Sequence, residues 1–427
     1  MLIEFRVCNY KSIREEQVFS LVASNSDRKN CPQNVIDREL PGMKGIRYLK
    51  GAAVYGANAS GKTSLVQALK FMKAFVVESA AERKPDEPTG RKAFLLDSES
   101  RKHPSRFEVT FLHDGVRYQY GFALTDELVV EEFLTAYPKG VAQNWYSRTA
   151  EQDTVWPQST YFKGHAGLQE KTRPNALYLS VGAQWNHPQL SPVYRWFKNQ
   201  LQVLNLGGDN ELHPGYTIRS YAEREQDRAR IVSMLKSADF GISGLRIEDS
   251  TTSVQEYLEK HPEAADRFEN DEDALVRQVV TEGFEHSHDG QTYVITPESE
   301  SAGTLRFFAM AGPWIDILRS GRTVFIDELE TSLHPVLVRE MLKLLFSEET
   351  NPKGAQVVFT THNATLLDQT LIRRDQVWFT EKDVAGVTHL YPLTDYSPRN
   401  GEALAKGYLA GRYGAIPFLE GGLRFDG

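Results

Sequence analysis

Residues 51–72 read GAAVYGANASGKTSLVQALKFM. A short apolar run leads into a glycine turn, and Gly-Lys-Thr opens a segment with helical spacing. Gly56-Ala57-Asn58-Ala59-Ser60-Gly61-Lys62-Thr63 fits the pattern G-x-x-x-x-G-K-[ST]. Such a loop wraps a phosphate with backbone N–H groups, so its side chains are small and its glycines supply the unusual backbone angles. Lys62 then reaches the β- and γ-phosphates of a nucleotide, and the Thr63 hydroxyl, with Ser64 beside it, sits where Mg²⁺ is held. The helix that follows adds its positive end. A glycine turn with a chance lysine is the competing reading. It leaves the strand before the loop and the amphipathic run after it unexplained.

The strand–loop–helix unit sits in a chain of 427 residues, 41% hydrophobic and 25% charged, with net charge -8. These are ordinary globular values, long enough for two or three domains or one domain with insertions. The acidic balance argues against a general nucleic-acid coat and leaves a local basic groove open. Two cysteines, Cys8 and Cys31, fit a reducing compartment and are too few for a zinc site. No stretch approaches the roughly 20 apolar residues of a membrane span. The alternating start, MLIEFRVCNYKSI, lacks the apolar centre of a signal peptide. A soluble cytoplasmic protein with no membrane partner is the expectation.

Outward from the loop, 2–8 and 17–22 alternate as strands, and 50–55 is a short buried strand. From 106 onward apolar and polar residues alternate, with turns at Asp114-Gly115 and Thr125-Asp126, which predicts an antiparallel meander. SPVYRWFKNQLQVL and YAEREQDRARIVSMLKSAD read as amphipathic helices, and the acidic EYLEKHPEAADRFENDEDALV as a solvated surface. HSHDG, 286–290, reads as a strand-flanking turn rather than as metal or HNH chemistry. TLRFFAMAGPWIDILRSG predicts a helix with a kink at Pro313 and a stop at Gly321. TVFID and AQVVFTT are continuous apolar runs, as in strands buried on both faces.

TVFIDELETSLHP puts Asp327 and Glu328 at the carboxyl end of such a strand, the edge where open α/β sheets bind ligands. Asp327 would hold Mg²⁺, largely through water, and Glu328 would act as general base on the attacking water. His362 ends the next buried strand. A lone histidine is often structural, but here it is placed to reach a γ-phosphate or that water. Ser301 and Gly303 open a further helix in ESAGT. Ser301 is either a plain N-cap or an anion site serving another subunit's nucleotide.

These elements, in this order, resemble the ATP-binding-cassette type ATPases of the RecF and SMC group. NYKSI at 9–13 resembles that group's first-strand motif, ESAGT its signature, FIDELETSLHP its Walker B and D-loop, and TTHNATLLD its switch-histidine segment. RRDQVWFTEKD with YLAGRYGAIPFL resembles stand-alone bacterial AAA/OLD-like ATPases of phage-defence operons, of the RloA, PtuA and AriA kinds. The resemblance implies an α/β fold: an ABC-type head with a mostly parallel P-loop sheet, an antiparallel β layer and a helical insertion. The lobes would be 1–185, 186–290 (the insertion) and 291–427. It also implies a homodimer, or a higher even-numbered assembly, with ATP and Mg²⁺ sandwiched so that Ser301 and Gly303 of one copy cap the γ-phosphate held by the other. The signature departs from the transporter pattern at Ala302 and Thr304. The Q-loop glutamine has only Gln119 as a weak candidate, and no heptad run marks a coiled-coil arm.

OLD-type nucleases carry a Toprim domain, and residues 363–427 leave no space for one. The leading expectation is an ATPase that serves as sensor and scaffold for a separately encoded effector, a nuclease or toxin, in anti-phage defence. A RecF-like ATPase acting on DNA and a self-sufficient OLD-like nuclease are the alternatives. Helices in 186–290 either present the effector surface or merely cover the core.

Overall fold

The computed structural model describes residues 1–38, 43–150, 154–157, 160–164, 166–205, 214–238, 240–253 and 275–417. Chain order begins β1 (Leu2–Cys8), β2 (Gln17–Ser20), β3 (Val35–Ile36), β4 (Tyr48–Leu49), β5 (Gly51–Gly56), α1 (Lys62–Glu78) and α2 (Ser98–Lys102). Then come β6 (Ser105–His113), β7 (Val116–Leu124), β8 (Val129–Tyr137), β9 (Gln143–Thr149), β10 (Thr154–Pro157), α3 (Tyr178–Gln184), α4 (Leu190–Arg195) and β11 (Leu201–Asn205). Next are α5 (Gly215–Glu223), α6 (Glu225–Ser237), β12 (Ile242–Ser253), β13 (Leu275–His288), β14 (Gln291–Ile295) and α7 (Ala302–Ser320). The order closes with β15 (Thr323–Asp327), α8 (Pro335–Phe346), β16 (Gln356–Thr361), β17 (Val377–Lys382), β18 (Thr388–Pro392) and α9 (Leu404–Leu409). The chain divides into two compact units, Met1–Gly207 with Leu318–Glu330 and Val338–Gly427, and Gly208–Ile317 with Thr331–Leu337.

The first unit is α/β, with one mostly parallel sheet and one antiparallel sheet. The six-stranded sheet runs β11-β15-β16-β5-β17-β18, and only the β17–β18 pair is antiparallel. Every residue of β5, β15 and β16 is buried, as continuous apolar strands covered on both faces require. The seven-stranded sheet runs β10-β9-β8-β7-β6-β1-β2, and its β6–β9 portion is the meander that the alternation predicts. Asp114 and Gly115 both take positive φ (48° and 77°), the backbone of a two-residue hairpin turn.

α1 fills the space between the two sheets. Leu69, Met72 and Phe75 are at most 1% exposed, and each such burial contributes about 1.5–3 kcal/mol. Its Phe71 and Phe75 meet Phe107 and Phe122 of the antiparallel sheet at 5.2 and 5.6 Å between ring centroids. Phe19 on β2 meets Phe325 and Trp378 of the parallel sheet at 5.9 and 5.1 Å. This continuous core fixes the head of α1, and with it the loop that precedes it.

The segment 186–290 departs from the reading as a helical insertion. Helix α4 passes into a single π turn, Trp196–Gln200, and LQVLN is a strand, not the end of a helix. β11 pairs in parallel with β15 from Leu201↔Thr323 to Asn205↔Asp327. The exposed edge of β15 supplies hydrogen-bond partners that a helix would forgo, and a short apolar run does not reveal such an edge. The parallel sheet therefore extends past 186.

The second unit is mixed. α5 and α6 are separate helices, broken at Arg224 (φ -128°, ψ 107°). β12, β13 and β14 form an antiparallel sheet, and HSHDG is the hairpin between β13 and β14. The acidic stretch lies outside the described residues up to 274. α7 contains Pro313, and Gly321 follows it with φ 70°, a left-handed helix stop.

Candidate functional site

β5 delivers Gly56 to the edge of the sheet, and residues 56–61 turn the chain into α1. Two glycines are there because nothing larger fits. A Cβ on Gly56 would strike Ser60 Oγ and Thr380 Oγ1. Gly61 has φ 110° and lies against the Thr388 side chain, which any Cβ would overlap. Ala59 also takes a left-handed backbone, φ 61°, a conformation that costs a non-glycine residue roughly 1–2 kcal/mol. Hydroxyls from distant segments brace the loop. Ser60 Oγ lies 2.7 Å from Thr380 Oγ1 on β17. Thr388 Oγ1 on β18 lies 3.0 Å from Ser60 O and 2.8 Å from Ser12 Oγ, which is 2.7 Å from Ser64 Oγ.

Lys62 is 5% exposed, and its Nζ donates to Gly56 O at 2.8 Å and Ala57 O at 2.9 Å. Burial lowers its pKa to about 8, opposed by the carboxylates of Asp327, Glu328 and Glu330. The ammonium is thus short of solvation and faces the loop interior, where phosphate oxygens are stronger acceptors than carbonyls. Thr63 is exposed at the head of the helix and Ser64 is half-buried.

The acidic strand end comes together through one threonine. Asp327 is 7% exposed, and its Oδ1 accepts from Thr360 Oγ1 on β16 at 2.7 Å. The same Thr360 oxygen accepts from the backbone N of Glu328 at 2.8 Å. Glu328 has φ 54°, so its backbone is held in the left-handed region that its residue type avoids. His362 follows β16, and its N donates to Glu330 Oε1 at 2.6 Å. Burial, then the Lys62 charge, lowers the pKa of His362 from its ordinary value, so the imidazole is neutral at pH 7.

Loop residues 58–64, Glu328 and His362 line one cavity of about 600 Å³, together with Lys11, Ser12 and Lys382. A cavity of this size suits a nucleotide-sized ligand. The predicted Lys62, Thr63, Glu328 and His362 therefore converge, with Asp327 one hydrogen bond behind. Ser301 and Gly303 belong to the second unit. There Ser301 Oγ accepts from Thr304 N at 3.1 Å, as a helix cap does. Gln119 sits within β7 and donates to Glu108 Oε1 at 2.7 Å, away from the cavity lining. Lys11, Lys382, Thr360, Thr380 and Thr388 were not singled out from the sequence. Lys11 and Ser12 lie within the NYKSI motif, which was the available signal for them.

The residues present fit a nucleotide with Mg²⁺. The loop offers N–H groups and a buried cation, and Thr63 and Asp327 offer oxygens. Among the described residues no group of three or more His, Cys, Asp or Glu is placed to hold a metal. Mg²⁺ here would therefore depend on phosphate oxygens and water, as is usual for that ion.

A family model described as "AAA domain, putative AbiEii toxin, Type IV TA system" matches residues 52–368. The chain belongs to this AAA-domain family. The match contains the phosphate loop, the Asp327-Glu328 strand end and His362. Two solved structures are similar to it. The SMC head domain from Thermotoga maritima has 12% identity and a TM-score of 0.39, over 92% of this chain and 98% of that one. The SMC head bound to the C-terminal winged-helix domain of ScpA has 11% identity and a TM-score of 0.40, over 93% and 99%. No curated protein matches the chain. Among the described residues no helix is long and apolar enough to cross a membrane.

Proposed function

We propose that this AAA-domain chain binds ATP with Mg²⁺ and hydrolyses it, and that the nucleotide-driven pairing of two copies controls a separately encoded effector. The observation that carries the hydrolytic reading is the convergence of Lys62, Thr63, Glu328 and His362 on one cavity. Lys62 exchanges the Gly56 and Ala57 carbonyls for β- and γ-phosphate oxygens. Glu328 orients the attacking water and accepts its proton, with the carboxylate aimed by the Thr360 bond to its backbone. His362, neutral, donates or accepts at the terminal phosphate. Mg²⁺ neutralises the phosphate charge when bound, and Thr63 and Asp327 would hold it directly or through water.

Pairing is supported by the start of α7, where the Ser301 hydroxyl and Gly303 head a 19-residue helix, a site suited to an anion. In the pairing reading they cap the γ-phosphate held by a second copy. The toxin and toxin–antitoxin terms in the family description support a role in defence. Glu328→Gln tests the core of the proposal. It should bind ATP like the wild type, hydrolyse it at least about a hundredfold more slowly, and accumulate as a heavier ATP-bound species in light scattering. Hydrolysis at the wild-type rate would remove Glu328 as the base. Mixing Ser301→Arg with Lys62→Ala should restore one working site per heterodimer. No activity from proven heterodimers would refute the shared site.

A further inference from the structure

The hairpin sequence HSHDG holds two histidines in different surroundings. The His288 side chain is 80% exposed, whereas that of His286 is 20% exposed. Phe284, two residues earlier and so on the same face of β13, is fully buried and meets Phe308 of α7 at 5.1 Å between ring centroids. This face of β13 packs on α7, and His286 extends the contact to the residue that precedes the helix. There His286 Nε2 and Glu300 Oε1 are 2.7 Å apart. A carboxylate only accepts, so the imidazole donates. The Glu300 side chain is 10% exposed.

Glu300 comes directly before Ser301, whose hydroxyl accepts from Thr304 N at 3.1 Å. With Thr304 N so engaged, the N–H groups of Ala302 and Gly303 are the ones in the first turn that a phosphate would meet. A glutamate here is their natural rival. Its carboxylate is an anion on a flexible stem at the positive end of a helix, where anions are stabilised. Turned onto those N–H groups, it would fill the place of an incoming phosphate and repel it. The hydrogen bond from His286 draws the carboxylate toward the β12–β14 sheet instead.

We propose that His286 is a positioning residue for the shared nucleotide site: it holds Glu300 off the start of α7 and so keeps Ser301 and Gly303 open to the γ-phosphate carried by a second copy. The inference rests on the pairing reading above. All four residues belong to the second unit of one chain. The phosphate loop of that chain takes no part.

The test measures ATP-driven pairing by light scattering over a dilution series, in full chains carrying Glu328→Gln as the parent. His286→Ala should raise the dissociation constant of the pair by about tenfold. Displacement of a fluorescent ATP analogue from dilute protein should show ATP affinity unchanged. Adding Glu300→Ala to His286→Ala should return pairing to within about threefold of the parent. His286→Gln keeps a donor at the end of its side chain and should recover most of the pairing. Glu300→Ala by itself should pair at least as tightly as the parent, and it decides the matter if urea denaturation shows that His286→Ala has lost its fold. A histidine that merely props up the structure gives the opposite pattern, because removing its partner as well restores nothing. A double variant as weak as His286→Ala, a His286→Ala chain that pairs like the parent, or a Glu300→Ala chain that pairs more weakly than the parent would each overturn the inference. If the parent does not pair with ATP, or pairs equally well with Ser301→Arg, the pairing reading fails and this inference with it.

Discussion

Replacing Thr360 by valine keeps the shape of the side chain and deletes one oxygen. That oxygen donates to Asp327 at 2.7 Å and accepts from the N–H of Glu328 at 2.8 Å, in a position with no exposure. The hydrogen bond to a buried carboxylate is worth about 1.5–3 kcal/mol, and leaving a partly buried N–H unmet costs about 1–3 kcal/mol more. Thr360→Val should therefore lower unfolding free energy by about 3 kcal/mol in urea denaturation. Glu328 is held at φ 54° partly by this bond, so its carboxylate should lose aim. A misplacement of about 1 Å lowers the chemical step by roughly a hundredfold. ATP affinity should hardly change, because Thr360 does not line the cavity. Thr360→Ser keeps the oxygen and should restore most of the single-turnover rate. The reasoning fails if Thr360→Val unfolds within about 0.5 kcal/mol of the wild type and hydrolyses normally, or if serine is as damaging as valine.

Three other substitutions or conditions separate the same forces. Gly61→Ala forces a side chain into Thr388 at φ 110° and should cost about 3 kcal/mol together with nucleotide binding, whereas Gly115→Ala, in open space at φ 77°, should cost about 1 kcal/mol in the same urea assay. Burial holds Lys62 near a pKa of about 8, and a bound polyphosphate would raise it. Binding should then take up a proton above about pH 8, and affinity should fall by up to about tenfold per pH unit. Calorimetry in buffers of different ionisation enthalpy measures that proton directly, and none should be taken up near pH 6. Glu132 has no exposure and accepts from Tyr120, Tyr146 and the backbone N of Tyr178 and Leu179. Glu132→Gln turns a donor toward those donors and should lower the denaturation midpoint by the equivalent of about 3 kcal/mol. A change under about 0.5 kcal/mol would mean that water meets these groups instead.

Where the chemistry needs neighbouring residues, the chain displays it openly. The phosphate loop and Asp327-Glu328 are contiguous, and the apolar runs before them mark buried strands, so loop, acidic edge and parallel sheet were all legible. The turn at Asp114-Gly115 announces its hairpin because two positive φ angles demand such residues. Thr380 and Thr388 reach the loop, and Thr360 the acidic strand end, only through strand order, as in the Thr388–Ser60 contact across 328 residues of sequence. Nothing local marks them or Lys382, whereas Lys11 sits inside the NYKSI motif. β11 was missed for a related reason: its partner is an edge created by β15, and a five-residue apolar run carries no sign of that edge. The three-stranded sheet of the second unit betrayed itself only at HSHDG.

The strand order also imposes a timetable on synthesis. β5 lies between β16 and β17, and both neighbours are translated some three hundred residues after it. While the ribosome makes the intervening chain, β5 has neither of its pairing partners, and the loop lacks Thr380 and Thr388 against which its glycines are shaped. Pairings this far apart in sequence close slowly and leave strand edges open to other chains meanwhile. A ribosome stalled between the phosphate loop and β16 therefore holds a nascent chain that carries the complete loop sequence without the strands and threonines that shape it, a natural client for chaperones that guard unpaired strands.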